Sequence, residues 1–173
     1  MLDTLAEKSV PATFFLVGRD VAGHPDLVRL IKNAGHEIGN HSFTHPRMVL
    51  MHPSRIAQEI EQTDAVLREA GYQGSLTFRP PYGKKLVTLP WYLSKTQRPA
   101  IMWGIEPEKW SGPIEQRVER IAREIKPGAI ILLHVMYDSG QGSRDMLAPM
   151  IDAIKAQGYQ FVTVSDLLES AIS

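Results

Sequence analysis

The strongest constraint on the fold is the regular alternation of short apolar runs with longer amphipathic stretches from one end of the chain to the other. Ala12-Thr13-Phe14-Phe15-Leu16-Val17 is a run of strand formers closed by Gly18, and His36-Glu37-Ile38-Gly39-Asn40 is a second short strand. Further strands are predicted at Leu76–Phe78, Ala100–Ile105, Ala129–Leu133 and Gln160–Val164. Helices are predicted over Pro25–Ala34, Pro53–Ala70, about Lys84–Lys95, Pro113–Lys126 and Arg144–Gln157. A last one is capped by Ser165 and ends near Ile172. In the Pro53–Ala70 helix, Ile56, Ile60 and Leu67 point inward, and Ser54, Glu59 and Asp64 point outward.

Strands each followed by a helix pair in parallel through crossover connections. The expected class is α/β, with about six parallel strands in an open sheet or a (β/α) barrel. A length of 173 residues without a linker, repeat or low-complexity tract predicts one domain over 1–173. Hydrophobic residues at 43% are enough for a real core.

Composition excludes several function classes. Nineteen Lys and Arg balance nineteen Asp and Glu, so there is no basic surplus for nucleic acid, and a neutral sugar polymer or small molecule is the easier ligand. With no cysteine, thiolate metal sites and cysteine nucleophiles are excluded. No apolar run approaches the ~20 residues of a membrane span. Residues 1–8 hold no apolar signal core, so the chain as written reads as unexported.

In parallel α/β folds, ligands bind at the carboxyl ends of the strands, and the unusual residues fall there. His41 and His45 follow the second predicted strand. Two His at i and i+4 meet on one side of a helical turn and can reach one ion, and neutral imidazole suits zinc and other late divalent metals. A pair of exposed histidines before Pro46 is the plainer alternative. A catalytic zinc takes three protein ligands, so a third, a carboxylate, has to come from elsewhere. Arg79-Pro80-Pro81-Tyr82-Gly83 follows the third strand. Its prolines fix φ and donate nothing, which leaves the Tyr82 N–H as a candidate oxyanion donor. Arg79 is placed to orient a carboxylate, or simply packs on an aromatic ring. His134 ends the apolar run Ile130–Leu133, where a histidine can deliver a proton to a leaving group. His24, His36 and His52 read as surface or capping residues. Among the aromatic residues, Trp103 is expected in the core and Trp110 beside a substrate groove.

Taken in order, Ala12–Gly18, His41-Ser42-Phe43-Thr44-His45, Arg79-Pro80-Pro81-Tyr82-Gly83 and Ile131-Leu132-Leu133-His134 resemble the polysaccharide deacetylases of carbohydrate esterase family 4, the NodB-homology domain. The resemblance covers nearly the whole chain. It implies a deformed or incomplete (β/α) barrel and metal-assisted removal of acetyl groups from an acetylated polysaccharide or oligosaccharide. By resemblance, His41 and His45 bind a divalent metal, usually zinc, and Arg79 orients the catalytic base. The Tyr82 N–H holds the oxyanion, Leu132 lines the acetyl pocket, and His134 is the general acid.

Two departures accompany the resemblance. The family's opening strand motif, Thr-Phe-Asp-Asp-Gly, does not occur, although it supplies the base and a metal ligand. Asp3 lies on the helix that should follow it. The chain is therefore expected to be a fragment whose true start lies upstream, with an inactive remnant as the alternative. An unpaired sheet edge also predicts a homodimer that covers it. In addition, Lys109 stands where the family has an Asp before Trp110, which leaves Glu106 or Glu108 to tune His134. The competing functions are a non-catalytic carbohydrate- or metal-binding relative and a hydrolase of another non-peptide C–N bond.

Overall fold

The computed structural model describes residues 1–171. Its regular elements run α1 (Leu2–Glu7), β1 (Thr13–Leu16), α2 (Gly18–Gly23), α3 (Pro25–Asn33), β2 (Glu37–Asn40), α4 (Pro53–Glu69), α5 (Thr88–Lys95), α6 (Ile114–Glu124), α7 (Gln141–Lys155) and α8 (Val164–Ser170). Single 3₁₀ turns occur at Pro81–Gly83, Pro107–Lys109 and Asp138–Gly140. The expected helix end near Ile172 lies outside the described residues. The chain divides into two compact units, each drawn from separate stretches of sequence. The larger takes Ala12–Met102 and the segment from Thr163 onward, and the smaller takes Met1–Pro11 and Trp103–Val162.

In the larger unit, β1 and β2 form a parallel ladder, Thr13 opposite Glu37 through Leu16 opposite Asn40. The sheet continues as single parallel bridges, Asn40 to Phe78 and Phe78 to Ala100. Helix α4 closes one face of it. Pro53 sets the first helical turn after the His52 cap, and the helix stops before Gly71, whose φ of 97° only glycine adopts freely. Ile56 and Ile60 of α4 pack with Met48, Phe78, Leu89 and Leu93 in a buried cluster. Burying side chains of this size contributes about 1.5–3 kcal/mol each.

Glu59 departs from the outward position predicted for it, being only 1% exposed. It lies three residues after Ile56 and so borders the inward stripe. Its charge suggested solvent, but its partners, described below, hold it inside. His36 is likewise buried, with its ring 5.3 Å from that of Phe14, and is not a surface or capping residue. Burial lowers its pKa.

In the smaller unit, Ile105 and Ile131 form a parallel bridge, with Leu132 N–H donating to the Ile105 carbonyl at 2.9 Å. Helices α6 and α7 pack on each other, with Ile121, Met146, Met150 and Ile151 buried. Helix α1 is tied to α7 by Lys8, which donates to both carboxylate oxygens of Asp152 at 2.7 Å. Lys155 returns a hydrogen bond to the Lys8 carbonyl.

The architecture is α/β with an open, partial parallel sheet, as an incomplete barrel requires. Only the first two predicted strands form a ladder. The next three contribute isolated bridges, and Gln160–Thr163 is irregular. The last helix also begins earlier than predicted. Thr163, not Ser165, is its cap: its hydroxyl accepts from Asp166 N–H while Asp166 accepts from Thr163 N–H. Ser165 instead donates both its N–H and its hydroxyl to Glu37. Helix α2, starting at Gly18 directly after β1, was not predicted, and α5 starts at Thr88 because Lys84 is extended.

Candidate metal and active site

The loop after β2 brings the two predicted imidazoles together. His41 Nε2 and His45 Nε2 are 3.2 Å apart. Two nitrogens bound tetrahedrally to one zinc at ~2.05 Å lie about 3.3 Å apart. The Nδ1 of His41 is 2.7 Å from the Arg79 carbonyl. A carbonyl oxygen only accepts, so Nδ1 carries the proton and the Nε2 lone pair is left for a ligand.

Convergence does not come from a helical turn. Residues 41–46 are irregular, and Ser42 and His45 have φ of 63° and 56°. Left-handed backbone at non-glycine residues costs about 1 kcal/mol or more each and needs support from its surroundings. Two side chains that sequence reasoning missed supply it. Asn40, fully buried, accepts from Ser42 N–H at 2.8 Å and donates to the Ile60 carbonyl and to Asp64. Asp64 is held in turn by Arg98 at 2.6 Å. Glu59 accepts from the N–H groups of Phe43 and Thr44 at 3.0 and 2.7 Å and from the Thr44 hydroxyl at 2.8 Å. Arg55 pairs with Glu59 at 3.0 Å. The signal for Glu59 was present in its register with Ile56; Asn40 carried none beyond its place at a strand end.

The Arg79–Gly83 corner sits against this loop. The Arg79 guanidinium lies 4.1 Å above the Phe15 ring, and burial lowers its pKa to about 10. Tyr82 has φ 58°, and its half-exposed ring is 4.7 Å from that of His45. Pro80 and Pro81 have no N–H, so Tyr82 presents the first backbone donor after Arg79. The Arg47 guanidinium lies over the Tyr82 ring, 5.3 Å from its centroid.

The donor set fits a late divalent metal as two of its ligands: two neutral imidazoles, one with its tautomer fixed. Among the described residues no third His, Cys, Asp or Glu joins them.

The smaller unit carries His134, Leu132 and Trp110. Glu108 accepts from His134 N–H at 2.6 Å and from His134 Nδ1, and the buried Ser143 hydroxyl donates to the same carboxylate. Burial raises the Glu108 pKa, but the hydrogen bonds from Ser143 and His134 outweigh it, and the net shift is downward. Glu106 is occupied elsewhere, by Trp103 Nε1 and Lys109, both at 2.8 Å. Of the two acids offered as partner for His134, Glu108 is the one in contact. Nothing in the sequence marked Ser143. Trp103 is partly buried rather than in the core. Trp110 has the Arg120 guanidinium 4.0 Å over its ring, and Leu132 is buried.

A family model for polysaccharide deacetylases matches residues 1–101. The chain is 32% identical over 173 residues to a chitooligosaccharide deacetylase of a Bradyrhizobium species, covering 92% of this chain and 79% of that protein. It is 31% identical to a peptidoglycan-N-acetylglucosamine deacetylase of Bacillus cereus, covering 99% of this chain and 63% of that one. Among solved structures, it matches a carbohydrate esterase family 4 pseudoenzyme from Bacillus anthracis at TM-score 0.87 and 32% identity, covering 96% of this chain and 58% of that chain. A mutant of that pseudoenzyme has restored enzymatic activity. The alignments run through both His41–His45 and the Arg79–Gly83 corner, since the family match alone spans them, and the chain belongs to the polysaccharide deacetylase family, carbohydrate esterase family 4.

Proposed function

We propose that the chain is a metal-dependent deacetylase domain acting on the acetamide of an N-acetylated polysaccharide or oligosaccharide. The observation that carries this reading is the pair of Nε2 atoms 3.2 Å apart, with His41 oriented by the Arg79 carbonyl. Deacetylases of carbohydrate esterase family 4 are generally metal-dependent, and zinc at His41 and His45 is the finer reading here. A bound divalent cation at such a pair polarises a carbonyl and acidifies a water.

Apart from the base and a third metal ligand, which the described residues do not bring to the pair, the chain's own residues supply the rest. The Tyr82 N–H donates to the oxygen that gains charge as the acetamide carbon becomes tetrahedral. Arg79 orients the carboxylate that serves as base. Leu132 lines the pocket for the acetyl methyl, and Trp110 borders the sugar. His134 protonates the amine nitrogen as the C–N bond breaks, which leaves acetate and a free amino sugar. Glu108 fixes the orientation of the His134 ring through Nδ1. One domain over 1–173 is the reading for the two units, because each is drawn from two separate stretches of the chain and neither is a continuous segment. Among the described residues β1 pairs on one side only, with β2, and a second copy of the chain would add at the other side. A monomer by light scattering removes that dimer.

A non-catalytic metal- or glycan-binding relative is the second reading, supported by the lack of a third ligand among the described residues and by the likeness to a pseudoenzyme. Zinc titration and acetate release from N-acetylglucosamine oligomers separate the two. Both are run on the chain as given and on a version carrying a Thr-Phe-Asp-Asp-Gly strand at its start. Acetate from either protein supports the deacetylase. Zinc binding without acetate from both leaves the non-catalytic relative.

A further inference from the structure

The chain is neutral, with 19 cations and 19 carboxylates, but the charge is unevenly placed. Residues 41–58 and 71–105 carry His41, His45, Arg79 and Tyr82, and contain no Asp or Glu. At the average density of the chain, these 53 residues would hold about six carboxylates. They hold seven Lys and Arg instead.

Three of the seven have structural work. Arg55 pairs with Glu59 at 3.0 Å, Arg98 pairs with Asp64 at 2.6 Å, and Arg79 is buried over Phe15. The other four, Arg47, Lys84, Lys85 and Lys95, are exposed, and among the described residues none of them forms an ion pair with a carboxylate. Arg47 packs on Tyr82, and Lys84 and Lys85 follow Tyr82 within three residues of sequence. The Arg47 guanidinium is 5.3 Å over the Tyr82 ring, and that ring is 4.7 Å from His45. Lys84 and Lys85 leave the turn that holds Tyr82, which is closed by the Lys84 N–H on the Pro81 carbonyl at 3.2 Å.

Like charges without carboxylate partners destabilise a fold, and here one lies on the Tyr82 ring while two more follow that residue in the chain. An anionic ligand removes the penalty. A half-exposed aromatic ring beside a guanidinium fork also suits a sugar that stacks on the ring and presents an oxyanion to the fork. We infer that this site takes an anionic glycan, an N-acetylated sugar chain bearing oxyanion substituents near the acetamide, recognised by Arg47, Lys84 and Lys85. The inference rests on the glycan-binding reading above and narrows its substrate class.

Binding does not require turnover, so the test is calorimetry with zinc present. The probes are a neutral N-acetylglucosamine hexamer, its carboxymethylated form and its sulfated form, at about 20 and about 500 mM salt. The anionic hexamers are expected to bind about tenfold tighter at low salt, from several exposed ionic contacts of modest strength each, and within about twofold of the neutral one at high salt. The stronger of the two anionic probes identifies the substituent as carboxylate or sulfate. The triple variant Arg47→Gln, Lys84→Gln, Lys85→Gln is expected to lose the preference. Arg29→Gln on α3, outside both segments, is expected to keep it. All three positions of the triple variant are exposed, and an unchanged melting temperature checks that it folds. Equal affinity for all three hexamers at low salt overturns the inference but leaves the glycan site standing, as does a preference that survives the triple variant. No binding of any hexamer overturns both.

Discussion

The Glu59 carboxylate accepts the backbone N–H of Thr44 at 2.7 Å, although the two residues lie on a helix and on the loop that carries His41 and His45. A buried charge on α4 therefore sets the path of the chain between His41 and His45. Replacing it with Gln keeps its size but turns a donor toward two backbone donors. Glu59→Gln is expected to cost about 1–3 kcal/mol in denaturant unfolding. It should also weaken zinc binding about tenfold by competition titration, the range for losing an outer partner of a metal ligand. Unchanged zinc affinity would show that the loop holds its shape without Glu59.

The histidines themselves are expected to behave as a unit. His41→Ala and His45→Ala should each lower zinc affinity by more than ~10²-fold, beyond what loss of an outer partner causes. The double variant should bind no worse than either single one, because one imidazole alone makes a poor site. Additive losses in the cycle would indicate two independent sites.

Glu108 gives a pH signature. Its pKa is lowered from the ordinary 4.5 in the folded chain, so the unfolded chain takes up its proton first as pH falls. Its stabilising contribution is complete above pH 4.5 and is lost as pH falls through the lower folded value. Glu108→Gln should therefore melt below the parent at pH 7, and the gap should narrow below pH 4.5. A constant gap from pH 7 to 3 would sink this account.

Gly140 is required for space and not for its backbone angle, since its φ is −82°. A Cβ there would overlap the His134 carbonyl oxygen, a backbone atom with little freedom to yield. Gly140→Ala is expected to cost about 1–3 kcal/mol through this crowding. It should also displace His134 from Glu108, visible as a changed His134 ring chemical shift by NMR. Gly142→Ala, where nothing lies within 4 Å of the added carbon, is the control.

The sequence carried the helices well, because Pro53, Gly71 and the Ile56, Ile60 and Leu67 stripe act locally. It overstated the strands. Leu76–Phe78 and Ala129–Leu133 have the right residues, but a ladder depends on neighbours far away in sequence, and only single bridges form there. The histidine pair was legible from its spacing, although for a different reason: a left-handed turn, not a helical one, brings the rings together. The charge of Glu59 suggests exposure, but its three hydrogen bonds compensate its burial. Ser143 could not have been foreseen, because a serine early in a helix looks like any other until its neighbour is known.

The tie between Lys8 and Asp152 has a consequence in time. The two residues are 144 positions apart, and Thr13 in β1 similarly receives the Val164 N–H from 151 positions away. Neither unit can close until nearly all of the chain has left the ribosome, on the order of ten seconds at ordinary rates of synthesis. During that interval the early apolar residues, Leu5, Val10 and Phe14 among them, have no completed core to enter. Newly made chains of this protein are thus expected to depend on chaperones more than their size alone would suggest.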